Sequence, residues 1–303
     1  MTVNDAPPRL RRGVAAVLVV ALAALLAACG STSTTTSTTS ARASAPVPDR
    51  IVSLSAAATE DLFAVGAGHQ VVAADEYSTY PADAPRTSLS GFEPNVEAIA
   101  RYRPDLVVIS QDVDNIEGQL AALRIPVLYE PAPANLGGAY AQIIQLGRAT
   151  GHAAAAAAVV AHMRAQVASI VRSVSRRTPP ITVYHELDQT YYSASSNTFI
   201  GQLYTLLGLD DIADPAAKAA VYPQLSSEYI IARDPDLIVL ADTVCCGQSL
   251  RTVAARPGWA HIAAVRDHDV LAVNDSVASE WGPRIVLFLA EVADAVKRVE
   301  AQR

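Results

Sequence analysis

Side chains able to grip a ligand recur where short apolar runs end. Tyr77 and Tyr80 follow the run Gln70 to Ala74, and Tyr191 and Tyr192 follow Ile181 to Glu186. Tyrosine offers a flat apolar face and a hydroxyl at low entropic cost, which suits holding a ligand as well as packing beneath a loop. A third run, Leu237 to Leu240, empties into Asp242-Thr243-Val244 and the adjacent pair Cys245-Cys246. Bonded to each other, these cysteines present a rigid apolar surface, whereas free thiols ligate soft metals. Both states stay open.

Other chemistries lack their residues. There is no GxSxG elbow, and His185-Glu186 is followed by Leu187-Asp188-Gln189 rather than by the second histidine of a zincin pair. Gly66-Ala67-Gly68 lacks the third glycine of a dinucleotide fingerprint. The six histidines (69, 152, 162, 185, 261 and 268) are scattered, so a zinc or manganese site is a secondary reading, and an extracytoplasmic enzyme a weaker one. Neither a catalytic set nor a metal set is assigned.

The elements that must position these loops alternate between strand and helix, which implies parallel sheets with ligands beyond the strand carboxyl ends. Arg50 to Ser55 reads as a buried strand, Thr59 to Val65 as a helix ended near Gly66, and Asp105 to Ser110 as another strand. The segment Glu97 to Ile109 (EAIARYRPDLVVI) recurs as Glu228 to Leu240 (EYIIARDPDLIVL), with Glu97 answered by Glu228 and Pro104 by Pro235 at one constant displacement. Two lobes of like build facing each other across a cleft are the economical interpretation. Between them, alanine-rich 152–177 has apolar positions three and four apart and is stopped by Pro179-Pro180, a long helix joining the lobes. The fold class is therefore α/β: two similar Rossmann-like lobes with parallel sheets, one long connecting α-helix and an interlobe ligand cleft.

The chain opens with Arg9, Arg11 and Arg12, an apolar run from Gly13 to Ala28, and Leu26-Ala27-Ala28-Cys29-Gly30. A basic start, an apolar core and small residues before the cut describe an export signal. The last segment resembles the bacterial lipoprotein box, whose cysteine is acylated; Cys29 is the expected lipidation site. Ser31 to Pro48, rich in serine and threonine, reads as a tether that cannot bury enough surface to fold. The expected organisation is a signal peptide at 1–28, a lipid-anchored tether at 29–49, an N-terminal lobe at 50–137, connecting helices at 138–178 and a C-terminal lobe at 179–303. The formal net charge is −7, and losing the leader's three arginines and one aspartate makes it more negative, so nucleic acid is not an expected partner.

RIVSLS, TEDLFAVGAG, EYSTYP, the two Glu-to-Pro-Asp segments, ARPGW and WGPRIV together resemble the helical-backbone (class III) substrate-binding lipoproteins of ABC importers, the cobalamin, ferric-siderophore and haem type. The likeness spans nearly the whole chain after the leader. It implies an extracytoplasmic, membrane-anchored monomer that delivers a metal chelate to a permease and its ATPase, has no cofactor of its own and performs no catalysis. It also implies that Glu97 and Glu228 dock on the permease. Candidate cleft residues are Tyr77, Tyr80 and Phe92 from the first lobe and Tyr184, Tyr191, Tyr192, Tyr222 and Trp281 from the second, with Arg284 as the clearest cation. Aromatic walls suit a corrinoid, haem or metal chelate. Few cations are placed to hold a trianionic ferric catecholate, and Asp83, Glu186, Asp188 and Asp242 disfavour polyanions further. EYSTYP leans toward cobalamin, while the tyrosines and His185 keep haem open. Cys245-Cys246 departs from the family pattern and is expected at the cleft edge.

Overall fold

The computed structural model describes residues 46–218 and 220–303. The leader, Cys29 and most of the tether lie outside the described residues.

The first lobe runs β1 (Ile51–Leu54), α1 (Ala56–Ala64), β2 (Val71–Ala74), α2 (Val96–Ala100), β3 (Leu106–Ile109), α3 (Ile116–Ala122) and β4 (Val127–Tyr129). Its strands are all parallel in the order β2-β1-β3-β4, with Ile51 opposite Leu106 and Leu54 opposite Ile109. β1 and β3 are buried at every position, so β3 reads as a continuous apolar run, and β1 does so but for the buried Ser53. Two helices follow, α4 (Leu136–Ala149) and the 20-residue α5 (Ala153–Arg172).

The second lobe contains β5 (Thr182–Glu186), α6 (Phe199–Leu207), β6 (Asp210–Asp211), α7 (Ser227–Arg233), β7 (Leu237–Leu240), α8 (Thr243–Cys246), α9 (Leu250–Ala254), α10 (Ala263–Arg266) and β8 (Val270–Ala272). The chain closes with α11 (Asp275–Ser279) and α12 (Ile285–Gln302). The second sheet, β6-β5-β7-β8, is again all parallel and repeats the strand order of the first.

The Glu-to-Pro-Asp repeat has a structural reason. Asp105 accepts from the backbone N–H groups of Asp49 (3.0 Å) and Arg50 (2.9 Å), and Asp236 accepts from the N–H and hydroxyl of Thr182 (both 2.8 Å). Each aspartate fastens the entrance of its lobe's central strand, at the edge opposite the cleft. Upstream of each, a helix is capped at an equivalent place: Asn95 accepts from Ala98 N–H ahead of α2, and Ser226 from Tyr229 N–H ahead of α7.

The connecting helix is shorter than the sequence suggests. It ends at Arg172, where the N–H and hydroxyl of Ser173 both turn back to the Ile170 carbonyl (2.9 and 2.7 Å), so 173–177 leave the helix before the prolines are reached. Ala156, Val160 and Met163 form its buried stripe. α4 packs close against it, for a Cβ on Gly147 would fall 2.3 Å from the Ala156 methyl. One hydrophobic core passes from Ile51, Leu62 and Val108 through Val160 and Met163 to Val183, Val239 and, on α12, Leu289 and Val292. The lobes share this core as well as flanking a cleft.

Candidate functional site

At the first lobe's strand outlets, β1 delivers Leu54 and Ser55, β2 delivers Asp75, and β3 delivers Ser110 and Gln111 to one cavity of about 430 Å³. Ser55 turns back to cap α1 through the Ala58 N–H. A Cβ on Gly91 would come 2.3 Å from the Leu54 carbonyl oxygen, so only glycine lets the 90–93 turn lie on the strand end. That turn sets Phe92 edge-on to Tyr77, with ring centroids 5.2 Å apart. Both rings are about half exposed, at 55% and 52%, and so keep a free face. From the second lobe, α11, capped by the Asn274 side chain, presents Ser279, Glu280 and Trp281 to the same space.

Behind this wall the lobes are joined by Arg284. Its backbone N–H and Nε donate to the two carboxylate oxygens of Glu60 on α1 (both 2.6 Å), and Nη2 donates to Glu280 (3.1 Å). Gly282 permits this approach, since a Cβ there would sit 2.8 Å from the Glu60 carboxyl carbon. The Tyr80 ring lies 4.0 Å beneath the guanidinium. Tyr80 and Arg284 therefore border a neighbouring pocket of about 480 Å³ with Phe63 and Pro283, not the cavity of Tyr77. The expectation that Arg284 supplies a cation to the ligand is corrected: two carboxylates already occupy it.

Tyr184 is also corrected. It is fully buried in β5, donates to Glu186 (3.2 Å) and packs edge-on to Trp259, so it belongs to the core. His185 is sealed as well, its Nδ1 paired with the Tyr204 hydroxyl, and burial lowers its pKa to about 3. Tyr191 stacks on Trp259, and the Arg256 guanidinium lies over both rings while forming a two-pronged pair with Glu186 (2.6 Å for each bond). Tyr192 and Tyr222 are exposed at 41% and 43%, on segments joined by the Tyr192 to Gln224 bridge, and neither lines the cavity. Cys245 and Cys246 are bonded to each other on the exposed helix α8, whose free N–H groups at Thr243, Val244 and Cys245 are all taken by Asp275.

The cavity's electrostatics come from carboxyls. Burial raises the pKa of Asp75 although Ser78 donates to it, and burial lifts Glu280 to about 7, opposed by Arg284 and reinforced by Glu60 and Asp75. Glu130, just past β4, is likewise lifted to about 7 by burial. No arginine, lysine or histidine is among the residues lining the cavity. Such a space takes a flat or caged apolar body and offers hydrogen-bond acceptors, while repelling polyanions. A larger groove of about 840 Å³ lies along α4, α5 and α6, away from every strand outlet. No group of three or more metal-ligating side chains occurs among the described residues.

Glu97 and Glu228 are both exposed and stand second in the capped helices α2 and α7, the same place in each lobe. The carboxyl of Glu228 sits below its ordinary pKa because its own backbone N–H and the Ser226 side chain hydrogen-bond to it. Sequence reasoning missed Glu60 and Arg256 as partners and did not single out Glu280. Glu280 stands within the Trp281 segment and was in view, whereas Glu60 gives no local sign of a partner 224 residues away.

Comparison with known proteins adds to this geometry. The family described as "Periplasmic binding protein" matches residues 51–277. A "Cobalamin-binding protein" of Halobacterium salinarum is 34% identical over 258 residues, covering 82% of this chain and 69% of the relative. The "Uncharacterized ABC transporter substrate-binding lipoprotein YvrC" of Bacillus subtilis is 28% identical over 260 residues, covering 82% and 80%. Among solved structures, the periplasmic heme-binding protein RhuT of Roseiflexus sp. RS-1 superposes with a TM-score of 0.74 at 24% identity, covering 83% of this chain and 99% of that one, a likeness of fold. Twin parallel sheets of one strand order, a long helix between them and a cavity at the strand outlets agree with a match over most of the described chain: the protein belongs to the periplasmic binding protein family, whose members are extracytoplasmic receptors for solutes.

Proposed function

We propose that this protein is the receptor of an ABC importer and that its cargo is a corrinoid, cobalamin or a close analogue, gripped by Tyr77, Phe92 and Trp281. The observation that carries this reading is an aromatic cavity whose polar lining is acidic and neutral, with the nearest arginine already paired to Glu60 and Glu280. Ferric catecholates and the propionates of haem call for unpaired cations. A corrinoid's amide-bearing rim needs acceptors and donors such as Asp75, Ser110 and Gln111. The name of the halobacterial relative agrees with this class, and that of the Bacillus relative agrees with service to an ABC transporter. Fluorescence titration tests the cargo: cyanocobalamin should quench Trp281, with buried Trp259 as a constant background. A response to hemin alone would move the cargo to haem, and silence toward corrinoid, hemin and ferric chelate would sink the receptor reading.

The remaining assignments belong to the same proposal. Removal of 1–28 and acylation of Cys29 anchor the chain to the membrane, with 29–49 as tether, 50–137 and 179–303 as lobes and 138–178 between them; Cys29→Ala should release the protein to the medium. The receptor works as a monomer and catalyses nothing. Tyr80, Tyr192, Tyr222 and the Cys245-Cys246 pair serve as rim, and Glu97 and Glu228 engage the permease.

A further inference from the structure

The ligand cavity is built from two lobes that both contribute a carboxyl. Asp75 comes from the outlet of β2 and is 2% exposed; its Oδ1 accepts from the Ser78 N–H (2.9 Å) and hydroxyl (2.7 Å). Glu280 comes from the link between α11 and α12, with a side chain 17% exposed and one contact to a cation, the 3.1 Å bond from Arg284. Arg284 gives its two shortest bonds to Glu60 instead. Two carboxyls, Glu60 and Glu280, thus share one guanidinium, and Asp75 is held by Ser78 alone. The charged groups facing Glu280 are Arg284, Glu60 and Asp75, and those facing Asp75 are Glu280 and the exposed Glu76. Nothing else charged lines the cavity.

We propose that Asp75 and Glu280, presented into one cavity by opposite lobes, select cargo by charge and couple its capture to the uptake of a proton. An uncharged ligand seated against Tyr77, Phe92 and Trp281 displaces the water that screens two like charges, and a carboxyl deprived of water favours its neutral form. One proton then halves the charge of the pair, removing the like-charge repulsion, and turns a carboxylate that could only accept into a carboxylic acid that also donates. A cationic group on the ligand could take the proton's place, whereas an anionic one adds a third repulsion. Glu280, whose pKa burial has already lifted to about 7, is the member poised to take the proton near neutrality.

This inference rests on the cavity being the cargo site, and its test separates the two. Cyanocobalamin binding is measured by calorimetry between pH 6 and 8.5 in buffers of different ionisation enthalpy. Wild type should take up close to one proton above pH 7, and its affinity should fall with rising pH, approaching tenfold per unit. Glu280→Gln, which keeps the shape of the side chain, should abolish the uptake and hold its affinity at pH 8 near the wild-type value at pH 6. Asp75→Asn should weaken the pH dependence in the same direction. A pH-independent wild-type affinity without proton uptake overturns the proposal. If cyanocobalamin does not bind, the corrinoid reading fails separately, and tryptophan fluorescence of the ligand-free protein decides the proton step. A transition near pH 7 that is absent in Glu280→Gln supports it, and identical curves for the two proteins overturn it.

Discussion

Buried ionisable groups make stability depend on pH with a predictable sign. Glu130, Asp242 and Glu280 are lifted to about 7 and Asp211 to about 8, in each case chiefly by burial. Between their ordinary values near 4 and these raised ones, the native state binds more protons than the unfolded chain, so stability falls as pH rises through that window. His185, lowered to about 3, acts oppositely: below pH 6.5 the unfolded chain binds the extra proton and stability falls as pH drops. Four carboxyls outweigh one imidazole. Thermal unfolding should therefore show a higher midpoint at pH 5.5 than at pH 8, each proton of difference being worth about 1.4 kcal/mol per pH unit; a midpoint that rises across this range would contradict the burial of these groups. At the lobe junction, Arg284→Ala leaves Glu60 buried without its cation and should cost about 3–5 kcal/mol in urea unfolding. Glu60→Gln, which removes the charge with the partner still present, should cost less.

At the scale of elements, the sequence was most informative where a segment's own pattern determines its surroundings. β3 and β7 are apolar at every position, and β1 at all but Ser53, because parallel strands are covered on both faces, and α5 is readable from alanines plus a stripe three and four apart. The Glu-to-Pro-Asp repeat disclosed the twin lobes because the same aspartate fastens the same strand in each. The site was only partly legible. Tyr77 and Phe92 follow from loop position, but Tyr184 sits within a strand buried on both faces, where a tyrosine meant for the core looks like one meant for a ligand. Arg284 was misjudged for a different reason: its partner Glu60 is supplied by the first helix of the opposite lobe, and no local pattern reports a contact so distant in sequence. The packing of α4 on α5 gives the element-scale experiment. Gly147→Ala puts a methyl where the Ala156 methyl already lies and should cost about 1–3 kcal/mol by overpacking, and Ala156→Gly in the same chain should recover most of that loss.

For the whole molecule, the shared core limits how the lobes can move. A helix that buries Ala156, Val160 and Met163 against α4 and α12 permits small tilts rather than a wide hinge. Small-angle scattering with and without cargo should differ little, and a large compaction would argue against a helical spine. The same rigidity holds Glu97 and Glu228 at a fixed separation. Replacing both with alanine should leave cargo affinity unchanged while abolishing uptake in cells that depend on this receptor; unimpaired uptake would remove them from permease docking. The continuous core has one more consequence, for dissection. Because Met163 on α5 and Leu289 on α12 belong to the same apolar cluster as Leu62 and Val239, each lobe keeps one apolar layer to itself and shares the other. Cutting the chain between α5 and β5 yields two fragments with raw apolar faces, soluble only when expressed together, and the intact protein melts in one cooperative step rather than lobe by lobe.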